Sequence, residues 1–552
     1  MSVTNGQDKA QGNLIEFTLD GKKVKVPAGT NLIDAAKMHG VDIPHYCYHK
    51  DLSIAGNCRM CQCELNGKPK LEIACNTVVT PGLEVKTHHS SPAVADAQAA
   101  TLEFILINHP LDCTVCDQSG HCKLQDFHYE YNAKPSRFVE NKEHKVKAEV
   151  LGPNVILDGE RCIMCTRCIR FCDEVTKTHE LGMLNRGDRS VIAINQGKEL
   201  NNALSGTVVD LCPVGALTHR NWRFNSRIWY TNQFDSICTG CSTGCNVKVA
   251  VRDNQVVQVK ARYNGAVNKE WMCDEGRYGF GRFQPNERLT SPTIKKNKVD
   301  LDKALEAFKS LKGQETLVFV SPDLALEEYW LLKKFLDHDV QKFKAVVAYR
   351  ERKLSEVEKI LVSPDYAANF RGAQLFGLAG ENLEVDYKKA LEMLKSGSVE
   401  RVLLVGDRAI LTEDRTPDIT AAISKAATSI GILADATSAL ALAAQVVIPE
   451  RTCLEKAGLM VNREMRLQYL ERLLNPPAEN VMSAWRIINA ASKKLGQELI
   501  NCMNDRELTL RYLKSDSRLS HIKIADLKNG GVSLTDPSMV RASEPGAAVG
   551  AG

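Results

Sequence analysis

Residues 109–122, His-Pro-Leu-Asp-Cys-Thr-Val-Cys-Asp-Gln-Ser-Gly-His-Cys, place three cysteines behind a leading histidine in a short loop with the spacing H-x3-C-x2-C-x5-C. Upstream, Ser91-Pro92 offers an N-cap and a proline suited to the first helical position. Leu102, Ile105 and Leu106 then fall on one face of a helix that must end before Pro110. His109 therefore stands at a helix terminus. A lone histidine there is usually a cap or a surface residue, but His109, Cys113, Cys116 and Cys122 together supply four ligands to one compact object. On these residues alone, structural zinc held by three cysteines and a histidine competes with a four-iron cluster.

The remaining cysteines bear on that choice. The chain has 552 residues and 19 cysteines, and only Cys453 and Cys502 lie beyond Cys273. The odd count, the length and the polar start MSVTNGQDKAQGN, without an export signal, argue for reduced thiols holding metal rather than disulfides. A net charge of +4 with 25% charged residues gives neither a basic tract nor an acidic tail, so a protein partner is expected rather than nucleic acid. No stretch approaches about eighteen consecutive apolar residues, so a soluble chain is expected, meeting a membrane only through partners.

A first group, Cys47, Cys58, Cys61 and Cys75, is spaced C-x10-C-x2-C-x13-C. Before it, alternating strands flank Asp20-Gly21 as a hairpin. A short helix follows from about Leu32 to His39, with Asn31 and Asp34 as its capping pair and Gly40 as its stop. Hairpin, helix and a loop of thiols is the layout of a 2Fe-2S ferredoxin domain of β-grasp type, with zinc disfavoured by the long first spacer. Cys63 reads as a buried bystander.

A third group, Cys162, Cys165 and Cys168, begins C-x2-C-x2-C and is completed by the distant Cys212-Pro213. Cys172 would serve a second cluster, but Ser205–Leu211 contains no thiols for one. Cys162, Cys165, Cys168 and Cys212 are therefore expected to hold a 4Fe-4S cluster, leaving Cys172 over. The fourth group, Cys238, Cys241, Cys245 and Cys273, surrounds two alternating strands joined at Asp253-Asn254. Its C-x2-C-x3-C-x27-C spacing suits a third 4Fe-4S cluster and also resembles a zinc ribbon.

From about Pro292 buried strands alternate with helices: Thr316–Val320, Ala345–Tyr349, Val402–Val405 and Ala444–Ile448, with helical stretches from Leu324 to Asp337 and Tyr387 to Ser396. This predicts an α/β domain with a largely parallel sheet. It contains neither a GxGxxG fingerprint nor a P-loop, so no nucleotide is assigned to it. A Gly-, Ala-, Ser- and Pro-rich tail, 529–552, is expected to be disordered. Iron-sulfur clusters pass single electrons, so four of them without an evident substrate pocket suggest a wire between other redox centres, with no catalytic residue of the chain's own.

The order of these four groups resembles the large iron-sulfur subunit of bacterial respiratory complex I, an NADH:quinone oxidoreductase. The resemblance is specific over about residues 14–290 and weaker beyond. There Ala368-Asn-Phe-Arg-Gly-Ala373 and Glu455-Lys-Ala-Gly-Leu-Met-Val-Asn462, with Arg466 and Gln468, look like segments of the molybdopterin oxidoreductase superfamily. It implies a multidomain α+β and α/β chain: a 2Fe-2S domain (14–90), a histidine-plus-three-cysteine 4Fe-4S segment (91–150), a 4Fe-4S ferredoxin-like domain (151–220), a molybdopterin-oxidoreductase-type 4Fe-4S domain (237–291) and a shortened, degenerate α/β domain (292–528).

The resemblance also implies cofactors and partners. FMN and NADH would sit on a partner subunit, with a small 2Fe-2S subunit and quinone-module subunits as further neighbours. Electrons would pass from the flavin towards quinone, coupled to proton translocation, in a peripheral arm on the cytoplasmic side of the bacterial inner membrane. The fourth cluster would be the family's optional one, off the main path, and no molybdenum is expected. Two alternatives are an NAD-dependent formate dehydrogenase and a hydrogenase. The first should place a cysteine or selenocysteine in the back domain, yet residues 274–452 contain no cysteine; the second needs further cysteine motifs.

Overall fold

In a computed structural model that describes residues 13–347, 352–380, 383–409 and 416–535, the chain turns at Asp20 (φ 47°) and Gly21 (φ 78°). Positive φ at both residues gives the two-residue turn whose twist matches a hairpin. It joins the antiparallel strands Leu14–Leu19 and Lys22–Pro27. The chain divides into two units, Met1–Asn232 with Lys269–Asp274, and Gln233–Asn268 with Glu275–Gly552.

In the first unit the hairpin is extended by Glu84–Lys86, Gln62–Leu65 and Glu72–Ile73 into a five-stranded mixed sheet. Alternate residues Phe17, Leu19 and Val26 point into a core shared with Leu32, Ile33 and Ala36 of the helix Leu32–Met38. Asn31 caps that helix by accepting from the Ile33 N–H, and Gly40 ends it at φ 78°. Asp34 does not complete a capping box, because its carboxylate instead accepts from Tyr48 Oη at 2.7 Å. The helix Pro92–Leu106 starts as expected, with Ser91 Oγ accepting from the Val94 N–H, and buries Val94, Gln98 and Leu102. After it come the helix Lys123–Tyr131, a three-stranded sheet built on Val155–Leu157, and the short helices Arg167–Arg170 and Thr207–Leu211.

The second unit carries a seven-stranded sheet. Its parallel strands are Phe343–Val346, Thr316–Val320, Arg401–Val405, Thr428–Leu433 and Val446–Pro449, in that spatial order. Period-two alternation sends Val318, Val320, Leu403, Val405, Ile430 and Ile432 to one buried face. Leu317, Phe319, Val402 and Leu404 go to the other. Apolar residues at every position are what a sheet covered on both faces requires. The strand expected at Ala345–Tyr349 starts earlier, at Phe343, and its expected end at 348–349 lies outside the described residues.

The tail does not begin at 529. Val532–Ser533 adds a third strand to the hairpin Gly458–Val461 and Arg466–Leu470, and Arg466 donates to the carbonyls of Gly530 and Gly531. Composition points to disorder there, but the guanidinium and the strand edge satisfy that backbone; residues 536–552 lie outside the described ones. Among the described residues no helix is long and apolar enough to cross a membrane.

Candidate iron-sulfur sites

Cys47, Cys58 and Cys61 lie on the loop after the first helix, and Cys75 lies in the short turn Ala74–Asn76 that follows the strand Glu72–Ile73. Their thiols are hydrogen-bonded in two pairs. A hydrogen bond from Cys58 holds the Cys47 thiol down to about 5, and that same bond pushes Cys58 up. Cys75, hydrogen-bonded by Cys61, is likewise lowered and Cys61 raised. Thiols hydrogen-bonded in pairs suit a cofactor that replaces their protons with metal, while among the described residues no three or more His, Cys, Asp or Glu side chains are gathered as a metal site. Cys63 is buried in the hydrophobic core, and burial raises its pKa.

In the second group, His109, Cys113 and Cys122 line one cavity of about 760 Å³ between the helices Pro92–Leu106 and Lys123–Tyr131. Cys116 does not line this cavity; burial raises the Cys122 pKa, and the Cys116 charge adds to it. Burial lowers the His109 pKa to about 4, with Arg161 adding to the effect, so the imidazole is neutral, as a metal ligand must be. Its Nδ1 is buried without a hydrogen-bond partner. The last carbonyls of the preceding helix, Leu106 and Ile107, accept from Lys142 Nζ, and the His109 backbone N–H donates to that of Leu106 at 3.2 Å, so the His109 imidazole is not needed for that capping.

The third group is walled by apolar side chains. Cys162, Cys165, Cys168 and Cys212 line a cavity walled by Leu157, Ile163, Ile192, Val214 and Leu217. Burial pushes Cys162, Cys165 and Cys212 up to about 11, and Cys168 further. Left as thiols these groups are neutral; as thiolates they need a cationic metal core in the apolar cavity. Met164 (φ 53°) and Thr166 (φ 59°) adopt left-handed backbone between the ligands, and the Met164 N–H points at Cys162 Sγ at 3.4 Å. Cys172 does not line this cavity; it is fully buried and faces Glu180. Cys63→Ser and Cys172→Ser are accordingly expected to leave every cluster signal in place. Low-temperature electron paramagnetic resonance checks this, and loss of one signal in Cys172→Ser would mean that the third group is closed by a different residue.

These three groups are neighbours in the first unit, but not in sequence order. Gly215, just beyond Cys212-Pro213, packs so closely on Cys116 that a Cβ there would collide with Cys116 Sγ. Arg170 Nη2 donates to the carbonyls of both Cys47 and Cys165. The third group therefore contacts both of the others. Arg170 lies two residues beyond the C-x2-C-x2-C motif, and nothing in its position there signals that it turns towards Cys47.

In the second unit, Cys238, Cys241 and Cys245 lie on one tight loop. The Cys238 N–H donates to the Cys245 carbonyl at 2.8 Å, and the Gly240 N–H points at Cys238 Sγ at 3.3 Å. Gly244 has φ 64°, and a Cβ there would come within 2.6 Å of Gln468 Oε1. The segments resembling molybdenum enzymes hold this loop: Gln468 Nε2 donates to the Gly244 carbonyl at 2.9 Å and Asn462 Nδ2 to that of Thr243 at 3.2 Å. Asn369 accepts from the Val461 N–H at 2.8 Å. Cys273 belongs to Lys269–Asp274, which groups with the first unit, so neither unit by itself contains the full fourth quartet.

Five family models match the chain. They are described as 2Fe-2S iron-sulfur cluster binding domain (residues 12–90); NADH-ubiquinone oxidoreductase-G iron-sulfur binding region (98–137); NADH-quinone oxidoreductase subunit 3, ferredoxin-like domain (152–218); Molybdopterin oxidoreductase Fe4S4 domain (231–284); and Molybdopterin oxidoreductase (365–494). The chain thus carries both 2Fe-2S and 4Fe-4S binding domains. It is 36% identical to the G subunit of the NADH-quinone oxidoreductase of Rickettsia bellii over 58% of this chain and 48% of that protein. It is 36% identical to the mitochondrial NADH-ubiquinone oxidoreductase 78 kDa subunit of Neurospora crassa over 69% of this chain and 47% of that one. The chain therefore spans about half the length of these relatives. A solved chain from an NAD+-reducing NiFe-hydrogenase in the H2-reduced state is matched over 39% of this chain and 91% of its own, at 30% identity and a TM-score of 0.34.

Proposed function

Because the chain belongs to the family of the large iron-sulfur subunit of complex I, the NADH-quinone oxidoreductase, we propose that it conducts single electrons from a partner subunit's flavin, reduced by NADH, towards quinone. The observation that carries this reading is the contiguous set of three ligand groups in the first unit, with the third touching both others. Cys47, Cys58, Cys61 and Cys75 would hold a 2Fe-2S cluster. His109, Cys113, Cys116 and Cys122 would hold one 4Fe-4S cluster, and Cys162, Cys165, Cys168 and Cys212 another. Cys238, Cys241, Cys245 and Cys273 would hold a third. Bound there, these groups supply one-electron transfer without proton or bond chemistry.

The chain's own residues provide the enclosure. The apolar wall of Leu157, Ile192, Val214 and Leu217 keeps water from the third site, which protects sulfide from hydrolysis and lets nearby charges act strongly. In the second unit, Asn369, Asn462 and Gln468 are engaged in holding the backbone, so the degenerate α/β domain serves as scaffold and needs no molybdenum. The partners would be the flavin subunit, a small 2Fe-2S subunit and the quinone module. The place would be the peripheral arm on the cytoplasmic side of the inner membrane, in a complex that translocates protons.

The test is which reductant fills these clusters. NADH added to membranes should produce 2Fe-2S and 4Fe-4S resonance signals that disappear when this chain is deleted. Signals elicited by formate or hydrogen, and not by NADH, would favour the formate dehydrogenase or hydrogenase reading instead.

A further inference from the structure

Two buried arginines stand between the first and third ligand groups without a carboxylate partner. Arg170 is 9% and Arg167 7% exposed. Arg170 Nη2 donates to the Cys47 carbonyl at 2.6 Å and to the Cys165 carbonyl at 3.3 Å, while Nη1 donates to that of Ser53. Arg167 donates to the carbonyls of Tyr48 and Leu211, the residues next to Cys47 and Cys212, and its Nε has no hydrogen-bond partner. Asn57, next to Cys58, adds a third link by donating to the Met164 carbonyl at 3.0 Å.

A buried cation is costly unless something anionic faces it. Arg161, near the second group, has that compensation in Asp112 and Asp158. Among the described residues, Arg167 and Arg170 have no ion pair. The nearby Glu270 is engaged with His49 at 2.8 Å. What Arg170 meets on both sides is the backbone of ligand cysteines, through the carbonyls of Cys47 and Cys165.

We propose that Arg170, supported by Arg167, is a positioning residue shared by the first and third iron-sulfur sites. It holds both potentials up with one charge and links the two ligand backbones through a single guanidinium nitrogen. The inference rests on the ligand assignments of the proposed function. Net charge and hydrogen bonding set cluster potentials. A fixed cation between two sites that each become more negative on reduction favours the reduced form of both. The transfer it serves removes one electron from the first site and adds one to the third, the flavin being the ultimate reductant, with no bond made and no proton moved. Arg is suited to the task because its fork serves several carbonyls at once, which a lysine cannot reproduce.

The test is potentiometric titration of the intact complex, read by electron paramagnetic resonance, in wild type, Arg170→Gln and Arg170→Lys. Arg170→Gln should lower the midpoint potentials of the 2Fe-2S cluster and of the third-group cluster together and leave the second-group cluster where it was. Unchanged potentials with both signals present would overturn the proposal. Should Arg170→Gln fail to assemble, Arg170→Lys decides: charge kept and fork lost should slow freeze-quenched electron arrival at the third-group cluster severalfold at nearly constant potentials, and a wild-type rate would overturn it. Absence of either signal from wild type would instead defeat the ligand assignments.

Discussion

Replacing His109 by alanine is expected to abolish or convert the second-group cluster and to stop electron flow from NADH to quinone. NADH oxidation at the flavin by an artificial acceptor should survive, because that reaction precedes this chain in the proposed sequence. The alternative role, a helix cap, does not need the imidazole: Lys142 donates to the carbonyls of Leu106 and Ile107, and the residue-109 backbone N–H, which alanine keeps, donates to that of Leu106. The neutral, half-buried imidazole, with its Nδ1 atom buried and unpartnered, fits a ligand better than a cap. A ligand's second nitrogen ordinarily donates to a carbonyl, carboxylate or water, which fixes the ring. A neutral imidazole in place of a thiolate also makes the cluster less negative and tends to raise its potential. Normal quinone reduction with an unchanged cluster spectrum in His109→Ala would refute the ligand role.

The second large effect is a pH dependence of stability centred on Glu327. This residue begins the buried helix Leu326–Phe335, where it accepts from the Leu459 N–H at 2.9 Å and from Thr509 Oγ1. Burial pushes its pKa from 4.5 up to about 7 against those hydrogen bonds, with the neighbouring Glu328 charge contributing in the same direction. The folded state therefore holds a proton that the unfolded chain releases in the window from about 4.5 to about 7. Stability from this group is full below that window, falls as pH rises through it, and is constant above. With each pKa unit worth about 1.4 kcal/mol, the loss amounts to roughly 3 kcal/mol. Chemical denaturation of wild type and Glu327→Gln between about pH 5 and about pH 8 reads it as a difference between the two slopes. Parallel slopes would show that Glu327 ionises in the fold as readily as it does unfolded.

Legibility in the sequence follows the range of the forces involved. Hairpins at Asp20-Gly21 and Asp253-Asn254 are readable because positive φ at two consecutive residues favours these residue types, and all four have φ between 47° and 78°. The strand Thr316–Val320 is readable to the residue, since its unbroken apolar run is buried on both faces. The strand Thr428–Leu433 carries no such signal although it lies inside the sheet. Ser429 and Gly431 interrupt its apolar run, yet both are accommodated, Ser429 Oγ by accepting from the Gln445 N–H and Gly431 by close packing against Leu433 and Ala444. At the sites, local spacing locates the cysteine groups, while contacts between distant segments leave no mark. Arg170 reaching Cys47 across 123 positions and Gly215 meeting Cys116 depend on tertiary packing that no motif encodes.

Iron, acid-labile sulfide and zinc measured per chain in the purified complex, after subtracting the metal of the partner subunits, test the central claim most directly. The proposed ligand sets call for about fourteen irons, two in the first group and four in each of the others, with matching sulfide and no stoichiometric zinc. Iron near about ten with one zinc per chain would contradict it and make the Cys238, Cys241, Cys245 and Cys273 group a zinc ribbon.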